Sequence, residues 1–144
     1  MSEQIVMPEQ QYQQIEIDSD YQQAKRVEDS IAQQAEECGF DEDAVFALRL
    51  GLEEALVNAI RHGSKGDTSK KVKLRYQVTP RQVDVYITDQ GDGFNPCGIP
   101  DPTSRENLER PNGRGILLMR AYMNLVEYNK KGNTVHITKL NKTI

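Results

Sequence analysis

Cysteine and histidine are scarce in this chain of 144 residues, two of each. Cys38 and Cys97 lie far apart, as do His62 and His136. No pair has the close spacing of a metal-binding pair, so no structural zinc is expected. Two cysteines in an otherwise ordinary chain point to reduced thiols in a cytosol. Long hydrophobic runs are also missing. The longest strongly apolar stretch is Ile116–Met119, far too short to span a bilayer, so no membrane association is expected. Met1–Asp20 is rich in Gln and Glu and has no apolar h-region, which argues against a secretory signal and for a cytoplasmic protein. A basic excess is absent too: 18 Lys and Arg stand against 22 Asp and Glu, a net charge of −4. Nucleic-acid binding normally needs a basic face, so no direct contact with nucleic acid is expected. There is no internal repeat, low-complexity segment or linker. The expectation is one domain over residues 1–144, with residues 1–11 a loose polar lead-in. A chain of this size buries roughly 70% of its unfolded surface, enough for one core.

What is present is a clear succession of periodicities. Tyr12, Ile15 and Ile17 flank polar residues and read as a short strand. Asp18, Ser19 and Asp20 are cap-type residues, followed by Tyr21, Ala24, Val27, Ile31 and Ala35 at helical spacing. Gly39 suits a helix stop. Asp41 can cap a second helix with an apolar stripe of Val45, Leu48, Leu52, Ala55, Leu56 and Ala59, running to about His62. Val72, Leu74, Tyr76 and Val78 alternate with polar residues, as do Val83, Val85 and Ile87, which predicts a hairpin. Residues 95–112 carry four prolines and read as a long loop. Gly113 and Gly115 open a helix from Ile116 to about Met123, and 125–128 and 134–138 read as two further strands. The order predicts an α+β two-layer sandwich: a mixed, mostly antiparallel sheet with helices on one face.

Three motifs stand out. Glu54 and Asn58 lie one turn apart on one face of the second helix. A carboxylate and an amide oxygen so placed suit a hydrated Mg²⁺ and a hydroxyl to be activated; the plain alternative is a solvated Glu and a surface Asn. Glu53 is about 100° away around the helix and reads most simply as the surface ion-pair partner of Arg49. Asp89, Gly91 and Gly93 close the second hairpin strand. Glycines there let backbone approach a ligand, and the carboxylate can accept from an exocyclic amine such as adenine's. A calcium loop is a poor match because Gly91 and Gly93 occupy ligand positions. A Rossmann fingerprint is a poor match because Pro96 stands where its third glycine belongs. An ordinary Gly-rich turn remains open. Gly113-Arg114-Gly115 precedes a helix whose free amides could hold phosphate, or forms a hinge. No G-x-x-x-x-G-K-S/T stretch exists, which excludes a P-loop.

In this order the motifs resemble those of the GHKL ATP-binding superfamily of gyrases, heat-shock chaperones and sensor histidine kinases. Its N box corresponds to Glu54–Gly63, its G1 box to Asp89–Pro96 and its G2 box to Gly113–Met119. Within the superfamily the chain looks most like the anti-sigma-factor serine kinases, given His62-Gly63, the Gly93-Phe94-Asn95-Pro96 continuation and Leu108-Glu109-Arg110. The resemblance covers about Ile15 to Lys139 and implies a Bergerat-type ATP-binding fold. It implies that Glu54 is the general base and Asn58 the Mg²⁺ ligand, and that Asp89 binds the adenine amine in a pocket shaped by Gly91 and Gly93. Gly113 to Gly115 would cradle phosphates, with Arg110 near the γ-phosphate and Arg114 a second candidate for that charge. Residues 95–112 would be the ATP lid. The implied activity is phosphorylation by ATP of a serine on an anti-anti-sigma (STAS-type) partner, with sequestration of a sigma factor. Relatives often dimerise through the sheet side, so a homodimer is expected. The alternative is a non-catalytic, ATP-gated binding module of the same fold. A histidine-kinase fragment would need a phosphoacceptor helix pair, and His62 inside the nucleotide-site helix is a poor acceptor. A chaperone ATPase would be much longer.

Overall fold

The computed structural model describes residues 12–63, 67, 69–91 and 119–142. Its strands form where side chains alternate: β1 (Gln13–Asp18), β2 (Lys71–Val78), β3 (Gln82–Asp89), β4 (Leu125–Tyr128) and β5 (Thr134–Leu140). They make one sheet of order β1-β2-β3-β5-β4. All four pairings are antiparallel, so the expected mixed sheet is purely antiparallel among the described strands. The proposed lead-in over 1–11 and the segment 95–112 lie outside the described residues.

Two helices cover one face. α1 (Tyr21–Glu37) starts where Asp20 accepts from the Gln22 N–H at 2.8 Å. It stops at Gly39, whose φ of +94° falls in the left-handed region that a side chain rarely adopts. α2 (Glu42–Asn58) starts where Asp41 Oδ1 accepts from the Ala44 N–H at 2.8 Å. Both caps satisfy amides that the helix itself leaves free. α2 ends in a π-helical turn, Ala59–Gly63, which packs against β3. Register places Val72, Leu74 and Tyr76 of β2, Val83, Val85 and Ile87 of β3, and Val135 and Ile137 of β5 on the helix side. There they join Ile31, Leu48, Leu52 and Leu56 in one core. A buried Leu or Ile contributes about 1.5–3 kcal/mol relative to exposure, so this contact is the main force holding helices to sheet.

The helices are also joined by charge. Arg49 donates to Asp29 Oδ1 of α1 at 2.6 Å and lies 3.7 Å from Glu28. The expected Arg49–Glu53 pair is therefore replaced by a cross-helix one with Asp29, which the packing of α1 on α2 brings within hydrogen-bond reach. Burial raises the Glu28 carboxyl above its usual range, with Lys25 and Arg49 pulling the other way.

Residues 119–122 are helical, and Met123 just beyond them packs on Gly51 of α2. A methyl group at Gly51 would sit 2.5 Å from Met123 Sδ and 2.6 Å from its Cγ. Alanine is favoured over glycine inside a helix by about 1 kcal/mol, but overpacking costs about 1–3 kcal/mol. Cγ is not the flexible end of the side chain, so the clash dominates. Gly51→Ala is expected to lower the denaturation midpoint by about 1 kcal/mol of stability. An equal or higher midpoint would mean that Met123 yields freely.

The opposite face of the sheet carries a polar array. Asp84 is buried and accepts from Thr138 Oγ1 at 2.7 Å and Gln82 Nε2 at 2.6 Å, and it lies 3.1 Å from His136 Nε2. Burial alone would push the Asp84 carboxyl up, but these hydrogen bonds outweigh it and hold the group below its ordinary range. Tyr86 stacks on His136 with centroids 4.1 Å apart, and the Arg75 guanidinium lies 4.5 Å from the Tyr86 ring centre. A groove lined by Gln14, Glu16, Lys73, Arg75, Tyr86 and Thr88 runs along this face. It lies across the sheet from the helices and from the motif residues described next.

Candidate functional site

Of the residues singled out in the sequence, the structure describes Glu54, Asn58, Asp89 and Gly91; Gly93, Arg110, Gly113, Arg114 and Gly115 lie outside the described residues. Asn58 is the last residue of α2, immediately before the π-helical turn. Turns of this kind widen the helix and often accompany functional side chains. Glu54, one turn earlier, shares its face and is half-buried, whereas Glu53 is exposed.

Asp89 ends β3. It pairs with Val72, so its side chain falls on the helix side, the same side as α2. Its Oδ1 accepts from the Gly91 N–H at 2.8 Å, closing a tight turn. Its backbone N–H donates to Asn133 O at 2.9 Å, and Asn133 Nδ2 donates to Asp89 O at 3.4 Å. The β4–β5 turn thus holds the end of β3 in place. Burial pushes the Asp89 carboxyl above its ordinary range, while the Gly91 amide, Lys131 and Lys70 pull it down.

Tyr128 lies on the same side of the sheet. It ends β4 opposite Val135, so it too points to the helix side and packs against the core. Burial pushes the Tyr128 phenol up to about 12, with the Asn58 side chain and Arg120 acting against that rise and Asp89 adding to it. The π-helical turn that follows Asn58 packs against β3, whose end carries Asp89 on the helix side. Sequence reasoning took Tyr128 only as a strand residue. Its inward position in the alternation was visible, but its place on the sheet depends on β4 lying beside β5.

The local chemistry suits a hard cation. Asn58 and Glu54 offer an amide oxygen and a carboxylate one turn apart, the oxygen donors Mg²⁺ prefers. Among the described residues no group of three His, Cys, Asp or Glu could hold a metal ion. A cation held here would thus draw further oxygens from a phosphate-bearing ligand and water. Among the described residues no helix is long and apolar enough to cross a membrane.

The family model of the histidine kinase-like ATPase domain matches residues 17–139. The chain is similar to the serine/threonine-protein kinase BtrW of Bordetella bronchiseptica, 30% identical over 95 residues, covering 65% of this chain and 67% of that one. It is similar to the serine-protein kinase RsbW of Bacillus subtilis, 30% identical over 112 residues, covering 73% and 70% of the two chains. The RsbW of Listeria monocytogenes is 26% identical over 117 residues, covering 76% and 74%.

Proposed function

Because the chain belongs to the histidine kinase-like ATPase domain family, together with the serine-protein kinases it resembles, we propose that it is an ATP-dependent protein serine kinase. In this reading it acts in the cytoplasm as an anti-sigma factor, phosphorylating an anti-anti-sigma partner and sequestering a sigma factor. The observation that supports the nucleotide reading is the packing of the π-helical turn after Asn58 against β3, whose end carries Asp89 on the helix side.

Asp89 accepts a hydrogen bond from the adenine amine. Asn58 presents its amide oxygen to Mg²⁺, which when bound offsets charge on the phosphate oxygens. Glu54 takes the proton from the partner's serine hydroxyl as that oxygen bonds to the γ-phosphorus. The bond from the γ-phosphorus to the bridging oxygen breaks, and ADP leaves. Gly91 and Gly93 shape the adenine pocket. Gly113, Arg114 and Gly115 cradle the phosphates beneath a lid of residues 95–112, and Arg110 lies near the γ-phosphate. The whole of residues 1–144 acts as one ATP-binding unit.

The test is to incubate the purified chain with γ-labelled ATP, Mg²⁺ and a co-purified partner. Labelled phosphoserine on the partner is expected. ATP binding without transfer to any partner would leave the ATP-gated binding module as the better account. No ATP binding at all would end the nucleotide reading.

A further inference from the structure

We infer that Asn129, in the β4–β5 turn, is a positioning residue for adenine recognition: its carboxamide shapes the turn so that Asn133 holds the main chain of Asp89 and aims the free carboxylate oxygen at the exocyclic amine. The inference rests on the ATP-site reading above and deepens it, from which group reads the base to what keeps that group in place.

Asp89 stands where the pairing of β3 with β5 has run out. The last residues matched between the two strands are Thr88 and Thr134, one position short of the carboxylate. On that side Asn133 takes over. The Asp89 N–H donates to Asn133 O at 2.9 Å, and the Asp89 carbonyl accepts from Asn133 Nδ2 at 3.4 Å. One carboxylate oxygen is tied to the Gly91 amide, so the direction of the other follows from where the Asp89 main chain sits. Hydrogen bonds weaken steeply as their angle opens. A carboxylate that reads an amine therefore needs a fixed backbone behind it.

Asn133 is in turn set by Asn129. Asn129 Oδ1 accepts from the N–H groups of Gly132, Asn133 and Thr134 at 2.8, 3.0 and 3.2 Å. Three amides of one tight turn thus converge on a single side-chain oxygen. Gly132, at φ +81°, supplies the left-handed bend that brings them there. The other end of the Asn129 amide, Nδ2, donates to Asn133 Oδ1 at 2.9 Å. That bond decides which way the Asn133 amide faces. With its oxygen engaged by Asn129, its nitrogen is left to donate to the Asp89 carbonyl. The two asparagines form a relay from an exposed turn to the strand end. A turn alone would be served by aspartate, whose oxygen could gather the same amides. The relay needs an acceptor and a donor on one side chain, which asparagine has and an ionised aspartate lacks.

The experiment compares equilibrium binding of two nucleotides to the full chain with Mg²⁺ present. One is ATP; the other is purine riboside triphosphate, which has the same phosphates but no exocyclic amine. The wild type should prefer ATP by roughly 10–100-fold. Asn129→Ala should cut that preference by about 3–10-fold, with affinity for the amine-free nucleotide within about 2-fold of wild type. A merely structural role would weaken both nucleotides together and leave the ratio unchanged. Asn129→Asp keeps the readout available should Asn129→Ala not fold. It retains the oxygen that gathers the three amides but sets two oxygens against each other at Asn133. Its preference should fall too, and its added charge cancels in the ratio because both ligands carry the same phosphates. With Asp89→Asn in place, Asn129→Ala should have no further effect on the preference. A wild-type ratio in either folded variant, an equal loss for both nucleotides, or an added loss of preference in the Asp89→Asn background overturns the proposal alone. A wild type that binds the two nucleotides equally, or binds neither, overturns the underlying reading as well.

Discussion

Replacing Glu54 with alanine is expected to leave ATP affinity close to wild type while slowing phosphate transfer by about 10²–10⁴-fold, the contribution of a positioned base. Adenine and cation contacts are assigned elsewhere, to Asp89 and Asn58, so the carboxylate is not needed to hold nucleotide. It lies one turn before Asn58, half-buried, on the face shared with that amide. A partner hydroxyl brought to the γ-phosphate therefore meets this group rather than its neighbour. Glu53 is the natural control. It is exposed and acts electrostatically on Glu28 of α1. Glu53→Ala should leave transfer within about 2-fold, as surface substitutions usually do. Single-turnover transfer and equilibrium nucleotide affinity, measured on the same preparations, separate chemistry from binding. Wild-type turnover in Glu54→Ala would remove Glu54 from the chemistry. Parallel loss of affinity and turnover would make it a binding residue instead.

The second large effect is at Asp89. Asp89→Asn should weaken ATP binding by roughly 10–100-fold, the worth of a hydrogen bond to a charged group, without lowering the stability of the nucleotide-free protein. The reason is a count of oxygens. Asp89 Oδ1 is already used by the Gly91 N–H, which leaves the other oxygen for the adenine amine. An asparagine has a single oxygen. If it keeps the Gly91 turn, it presents NH₂ to the adenine NH₂; if it serves adenine, the Gly91 amide faces a donor.

The stability half of this prediction follows from the raised Asp89 carboxyl. An unfolded aspartate ionises at about 3.9, and burial makes the folded one hold its proton to higher pH. Its contribution to stability is therefore full below the unfolded value and is lost as pH rises through the folded one, so at neutral pH the ionised group works against the fold. An uncharged amide removes that opposition. Thermal melts at neutral pH should give Asp89→Asn a midpoint equal to or above wild type. The combination of weak nucleotide binding and an undiminished melting temperature marks a group kept for function rather than for folding. A variant that binds ATP as tightly as wild type would refute the adenine assignment, and a clearly lower midpoint would refute the stability argument.

Much of the fold was legible because its signals are local. Helical spacing from Tyr21 and Val45, caps at Asp20 and Asp41, the stop at Gly39 and the alternation in 71–78 and 82–89 each depend on residues a few positions apart. Four of the singled-out site residues could be located on α2 and at the end of β3 on the same grounds. What sequence could not supply were relations between distant segments. Arg49 looked paired with Glu53 because helical neighbours are visible in sequence, whereas Asp29 is brought to it only by packing of α1 on α2. Asp84 carried no motif, and its burial beside His136 and Thr138 follows only from the pairing of β3 with β5. Tyr128 carried no motif, and its place on the helix side of the sheet beside β5 appears only once strand order is known.

That strand order has a consequence for synthesis. β5 is the last of the described strands to be made, yet it lies inside the sheet, hydrogen-bonded to β3 on one side and β4 on the other. A growing chain that has just completed α2 lacks β2 to β5, and with them Asp89 and the turn that anchors it. The ribosome must add roughly 80 more residues, about 4–16 s of elongation at 5–20 residues per second. Until then β3 presents an open edge, and the nascent polypeptide has no pocket in which to capture a purine.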